Sequence, residues 1–254
     1  KIDFEVKDKS ATMWYHPHIL DDTYEQVQMG MSGLLYVEDP KDGKDDPILS
    51  KLHELLPTDY GVNDIPLVIQ TKKFIVNGKD VKIDSANGYN SKFVYMVNGR
   101  MSPYVEVPAT MIRLRILNGD AKYSFQLGVG DLDFNAHQVE LIATDAGYTD
   151  SSHSMTSMLV APGSRTEWLL DLRNYKAGDT LYLLNWADSI PAGVIGSSKS
   201  GAKSPIPFKE TALMKFIVTS STTPATKITT FPIELNPLEI PTYGANTKTR
   251  TKTF

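Results

Sequence analysis

In Thr110–Leu117 the apolar Ile112, Leu114 and Ile116 alternate with Arg113 and Arg115. This is the period of two of a β-strand with one buried face and one wet face. Comparable short segments recur at Leu67–Ile69, Phe93–Val97, Glu140–Ala143, Trp168–Leu172, Leu181–Trp186 and Leu213–Val218. Between them stand Asn77-Gly78, Asn98-Gly99, Asn118-Gly119, Ala146-Gly147, Pro162-Gly163 and Ala177-Gly178. Asn and Gly supply the positive-φ positions that tight turns need. Many short strands at this spacing, with little helical periodicity, predict an all-β sandwich.

One stretch departs from that rhythm. Pro47–Leu56 places Ile48, Leu52 and Leu55 at i, i+4 and i+7, with Asp45 or Asp46 as N-cap and Pro57 to end it. It reads as a short helix in a connecting segment, which puts a domain junction near residues 40–62. The stretch from about 220 to 254 is rich in Thr, Pro, Ser and Lys and reads as a surface linker. Its end, Thr247–Phe254, alternates as though another strand began there.

Composition removes several classes of function. A net charge of −4 lacks the basic excess of a non-specific nucleic-acid binder. No stretch approaches the ~18 apolar residues of a membrane-spanning helix, and Lys1–Ser10 has no apolar core of a signal peptide. The chain has no cysteine, so it holds no disulfide, thiolate zinc site, iron–sulfur cluster, cysteine nucleophile or blue-copper thiolate. No Gly-rich phosphate loop or Gly-x-Ser-x-Gly elbow occurs.

The sharpest chemical signal is Trp14-Tyr15-His16-Pro17-His18. In extended backbone, residues two apart face the same side, so both imidazoles project together with Cα atoms roughly 6–7 Å apart. Pro17 biases His16 toward extended geometry and withholds an N–H, which favours a strand edge or loop mouth. Imidazoles so placed can hold adjacent copper, zinc or iron ions. Taken alone, such a pair is a weak signal, and two exposed strand histidines with no metal are its bland reading.

The surroundings are more specific. The His pair is followed by Gln26-Val27 and then by Met29-Gly30-Met31-Ser32-Gly33-Leu34-Leu35-Tyr36-Val37-Glu38-Asp39. That run resembles the second histidine motif of the multicopper oxidases, at the end of their first cupredoxin domain. Downstream, Asp64–Gln70, Val97-Asn98-Gly99, Ile112–Gly119, Asp145-Ala146-Gly147 and Leu159–Arg165 resemble successive blocks of that family's second domain. The resemblance runs nearly continuously from about residue 3 to 220.

The resemblance implies a cupredoxin-like Greek-key β-sandwich with partial strands of a preceding cupredoxin domain. Residues 1–40 would be the end of domain 1 and 41–62 a connection. Residues 63–220 would be domain 2, which carries no copper in this family, and 221–254 a linker toward a third domain. It implies that His16 and His18 each bind one type 3 copper of a trinuclear cluster, with Trp14 and Tyr15 packing that site. The implied reaction couples one-electron oxidation of a phenol or metal ion to reduction of dioxygen to water, outside the cytoplasm. The family's remaining ligands, including the cysteine of the type 1 site, have no counterpart here, so the chain reads as an internal fragment without activity of its own. The alternative is a non-enzymatic relative with a structural or cell-division role. No catalytic or organic-cofactor residue is assigned.

The other candidates receive structural readings. His53 is read as a surface or boundary residue, and His137 and His153 have no partner at ligand spacing. The Asp42, Asp45, Asp46 cluster and Asp21-Asp22 read as solvated loops. The nine methionines, Met29 and Met31 among them, read as core filling. Residues 1–38 would be strands lacking most of their sandwich, either poorly ordered or completed by another copy of the chain in a non-native oligomer.

Overall fold

A computed structural model of the chain describes residues 6, 9–38, 47–84, 92–202, 205–220 and 227–235. A small hairpin comes first. Strands β1 (Ala11–Tyr15) and β2 (Gly33–Val37) pair antiparallel, and α1 (Thr23–Gln28) lies between them. Helix α2 (Pro47–Leu55) follows where the spacing of its apolar residues predicts it. The Asp45/Asp46 cap, the Asp42 cluster and the Thr247–Phe254 strand fall outside the described residues.

The remaining strands are β3 (Asp64–Asn77), β4 (Asp80–Ile83), β5 (Lys92–Val97), β6 (Tyr104–Pro108), β7 (Met111–Asn118), β8 (Phe125–Gly130) and β9 (Ala136–His137). After these come β10 (Val139–Thr144), β11 (Gly147–Met155), β12 (Met158–Val160), β13 (Arg165–Asp171), β14 (Thr180–Trp186) and β15 (Glu210–Thr219). They form two sheets. One runs β11-β10-β13-β7-β3-β4 with β5 also on β3, and the other runs β12-β8-β14-β15-β6 with β9 on β8. The pairs β3–β7 and β6–β15 are parallel, so the chain must cross between strands that are not neighbours in sequence.

The core between the sheets takes alternate residues of each strand. Leu67 and Ile69 of β3, Ile112, Leu114 and Ile116 of β7, and Trp168 of β13 meet Phe125, Leu127, Leu183 and Phe216 from the opposite sheet. Each large apolar side chain so buried contributes roughly 1.5–3 kcal/mol. The Trp168 indole donates to Thr166 Oγ1 at 2.8 Å, which satisfies its one polar atom.

Two expectations fail on the outer face of the first sheet. Strand β7 has no wet face, because Arg113 and Arg115 are only 2% and 3% exposed. The stretch expected to run as a surface linker instead contributes Ile228 and Leu235, which pack with Leu52, Leu56, Met111, Ile142 and Leu169. Helix α2 and residues 228–235 thus cover one end of that outer face, and the β1–β2 hairpin covers the other. A strand between two covered faces is buried throughout, and its polar positions must find partners inside.

The turns hold a smaller correction. Asn98 and Gly99 (φ 50° and 74°), Gly78, Gly147, Gly163 and Gly178 adopt the positive φ expected of them. Gly119 does not. A Cβ there would lie 2.8 Å from Val68 Cγ1 and 3.1 Å from Ser32 Oγ, so this glycine permits a close approach instead.

Candidate metal centre

The histidine pair sits in the loop just past β1, at the end of the docked hairpin. Thr12, Trp14 and His16 follow one another at the strand's period of two. Thr12 is buried, Trp14 and His16 are half-buried, and His18 is exposed. The two imidazole centroids are 5.8 Å apart, with 39° between the ring planes. His16 Nδ1 lies 2.8 Å from the Pro17 carbonyl oxygen. A carbonyl only accepts, so Nδ1 carries the proton and Nε2 keeps the lone pair that a metal would need. The His16 ring stacks on Trp14 with centroids 4.3 Å apart and 25° between planes. Tyr15 points the other way and is 61% exposed, its hydroxyl lying over Gly33.

The hairpin is fastened through a buried ionic cluster that sequence reasoning missed. Glu167 of β13 accepts from Arg113 Nε at 2.7 Å and from the Thr12 hydroxyl at 2.5 Å. Arg115 grips Asp64 with a two-point fork, Nε to Oδ1 at 2.8 Å and Nη2 to Oδ2 at 2.7 Å. Its guanidinium also lies over the Tyr36 ring at 4.4 Å and reaches Glu38 at 3.4 Å. Arg113 completes its shell on the Tyr148 hydroxyl at 2.8 Å. Burial would push Glu167 up, yet the two guanidiniums hold its carboxyl below the usual carboxylate range. Burial would likewise lower Arg113, but Glu167, Tyr148 and Asp64 hold it raised. Glu167 and Arg113 are therefore both charged at neutral pH. The signal for the cluster is the presence of two arginines in an otherwise apolar strand.

A second set of contacts ties α1 and the loop after it to the sandwich. Gln28 donates to Thr71 O at 3.3 Å, and Gln70 donates to Ser32 Oγ at 3.1 Å. Asp120 Oδ2 accepts from both the Thr71 amide and the Thr71 hydroxyl at 2.6 Å. Beside these, a cavity of about 400 Å³ opens between the hairpin and the sandwich, lined by Trp14, His16, Tyr24, Val27, Pro162 and Gly163, among others.

The other histidines stand apart from the pair. His137 Nδ1 lies 2.8 Å from the Tyr175 hydroxyl, and His153 Nε2 lies 3.2 Å from Asp150. His53 on α2 is half-buried, with Nε2 lacking a partner. Met29 and Met31 are 53% and 55% exposed, so they do not fill a core. Asp21 and Asp22 are exposed, in keeping with a solvated loop. Among the described residues, no three His, Cys, Asp or Glu side chains come together to hold a metal. The pair therefore fits copper as two ligands of a larger set, and not as a complete shell.

Comparison with known proteins fits this frame. A multicopper oxidase family model matches residues 1–42. The multicopper oxidase mco of Staphylococcus aureus is 33% identical over 207 residues, which cover 81% of this chain and 42% of that protein. The cell division protein FtsP of Escherichia coli is 33% identical over 169 residues, covering 66% of this chain and 33% of its own length. Among solved structures, a laccase-like multicopper oxidase CueO from a lignin-degrading Ochrobactrum superposes with a TM-score of 0.68 at 28% identity, over 94% of this chain and 47% of that one. A variant of the McoA multicopper oxidase of Aquifex aeolicus gives 0.71 at 27% identity, over 95% and 48%.

The fold is thus the cupredoxin-like β-sandwich of copper proteins. The chain belongs to the multicopper oxidase family, of whose curated members it spans less than half the length.

Proposed function

We propose that this chain is the part of a copper-dependent oxidase that brings one type 3 histidine pair, His16 and His18, to a trinuclear copper cluster. In the intact protein, bound copper would supply the electron transfer that couples oxidation of a phenol or metal ion to reduction of dioxygen to water. This chain's own residues do the holding. The Pro17 carbonyl keeps the proton on His16 Nδ1 and frees Nε2, and the Thr12–Glu167 contact anchors the strand that ends at the pair. The observation that carries the reading is this tautomer-fixed imidazole beside a second imidazole, at the family's motif.

Under this reading, residues 1–40 belong to a first cupredoxin unit and 41–62 connect it to a second, copper-free unit at 63–220. Residues 221–254 lead toward a third, the packed 228–235 included. The protein would work outside the cytoplasm, as its family does. Among the described residues, no helix is long and apolar enough to cross a membrane.

Calorimetric titration of the full chain with cupric ion tests it. Two ligands leave a metal's shell incomplete, so the expected result is weak binding that vanishes in His16→Ala/His18→Ala. The chain should not turn blue or oxidise phenols, because a blue site needs a thiolate. Tight binding that survives the double substitution would place the copper elsewhere.

A second reading is favoured by the FtsP match, namely a copper-free relative with a structural role in cell division. Wild-type chain that binds no cupric ion at all would favour it. Coding sequence flanking this chain that encodes no His-Cys-His motif would point the same way.

A further inference from the structure

The turn joining β12 to β13 lies against the histidine-bearing strand. It is tightly closed. Ser164 N–H donates to Ala161 O at 3.0 Å, and Gly163 N–H donates to Asn118 O at 2.9 Å. Gly163 adopts φ +77°, and a Cβ there would lie 2.9 Å from Trp14 Cζ2, with two further indole carbons within 3.6 Å. The indole therefore rests on the bare Cα of the turn. The same indole stacks on the His16 imidazole at 4.3 Å.

Arg165 joins turn and strand directly. Its Nε donates to Thr12 O at 3.1 Å and its Nη1 to Gly163 O at 3.2 Å. Asp145 holds it in place, its carboxylate accepting from the Arg165 amide at 2.6 Å and pairing with the guanidinium at 3.1 Å.

We propose that the β12–β13 turn of the sandwich is a positioning element for His16: Gly163 sets the plane of Trp14, Trp14 sets the plane of the imidazole, and Arg165 keeps turn and strand in register. A histidine in a loop would otherwise sample several rotamers, and each must be given up when a ligand is bound. Stacking on a fixed indole restricts that freedom beforehand. Glycine is required for two separable reasons, the positive φ and the contact with the ring. The geometry stands alone, and its consequence for copper rests on the functional reading given above.

The separation makes the test clean. Gly99 has nearly the same φ, +74°, but a Cβ there meets nothing within 4 Å. Gly99→Ala therefore carries the backbone strain without the ring contact, and Gly163→Ala carries both. Proton NMR of the metal-free full chain reads the stack through ring-current shifts of the His16 ring protons, with His18 as the unstacked reference.

The expected result is an upfield His16 signal that is lost in Gly163→Ala and Trp14→Leu, weakened in Arg165→Gln, and kept in Gly99→Ala and in part in Trp14→Phe. Cupric affinity should fall roughly tenfold or more in the first two, the loss typical of removing a group that orients a ligand. Wild-type chain with the shifted signal but no copper binding would leave the positioning intact and remove the copper reading. An unshifted His16 in wild type would overturn the proposal. So would a shift unaffected by both Gly163→Ala and Arg165→Gln, or equal copper losses in Gly163→Ala and Gly99→Ala.

Discussion

Replacing Thr12 with valine tests how the histidine-bearing hairpin is held. The exchange keeps the shape and deletes one hydroxyl, which donates to Glu167 Oε1 at 2.5 Å from a residue only 1% exposed. Without it, Arg115 Nη1 stands 4.0 Å from that oxygen, too far for a hydrogen bond. A hydrogen bond to a charged group contributes ~1.5–3 kcal/mol, and a buried acceptor left short of donors adds to the loss. Among the described residues, β1 and β2 pair only with each other, so their hold on the sandwich comes from side chains and can fail locally. At ~1.4 kcal/mol per tenfold, the hairpin should open about 10 to 150 times more readily. Native-state hydrogen exchange reads this directly. Amides of β1 and β2 should exchange faster by that factor, and those of β14 and β15, in the opposite sheet, by far less. Acceleration below about threefold, or equal acceleration in β14, would refute the argument, since a hydrogen bond worth ~1.5 kcal/mol predicts more and predicts it locally.

Glu167→Gln leaves Arg113 buried without its counter-charge, so urea denaturation should show a loss of about 3–5 kcal/mol. Because Glu167's folded pKa is depressed, its contribution is present above the unfolded carboxyl value of 4.5 and is lost as pH falls through the lower folded value. Thermal melts should therefore drop steeply below about pH 4 in wild type and less in Glu167→Gln. The hairpin's outer surface exposes Tyr15, Leu20, Met29, Met31 and Leu35. Light scattering should accordingly find species above the 28.2 kDa monomer, reduced by Leu20→Lys/Leu35→Lys, and a monomer at all concentrations would count against self-association through this face.

The strands were legible because alternation and turn chemistry are local. Phe93–Val97 and Leu181–Trp186 fall inside β5 and β14, and the expected helix matches α2 to within one residue. The face assignments were not legible, since what covers a sheet comes from distant parts of the chain. Arg113 and Arg115 look solvent-facing until Thr12, Asp64, Tyr148 and Glu167 are known to converge on them. Ile228 and Leu235 stand in a stretch whose composition suggests a linker, and only the fold shows that they cap the Leu169–Ile142 surface. The histidine pair was visible from the motif alone. Its support was not, because Gly163 meets Trp14 from 149 residues further along the chain.

The buried cluster also bears on why the pair faces where it does. A buried ion pair adds little net stability over apolar side chains of equal volume. Its effect is on the alternatives. Strand side chains alternate faces, so a one-residue slip of β1 would present Ala11 or Met13 to Glu167 in place of Thr12. The carboxylate would lose a hydrogen bond it cannot replace in a dry site, whereas an apolar contact would barely register the change. Trp14 and His16 lie two and four residues beyond Thr12, so the same slip would turn both away from the turn at Gly163. The charge at Glu167 thus penalises the one-residue slips that would carry Trp14, and His16 with it, away from the turn at Gly163.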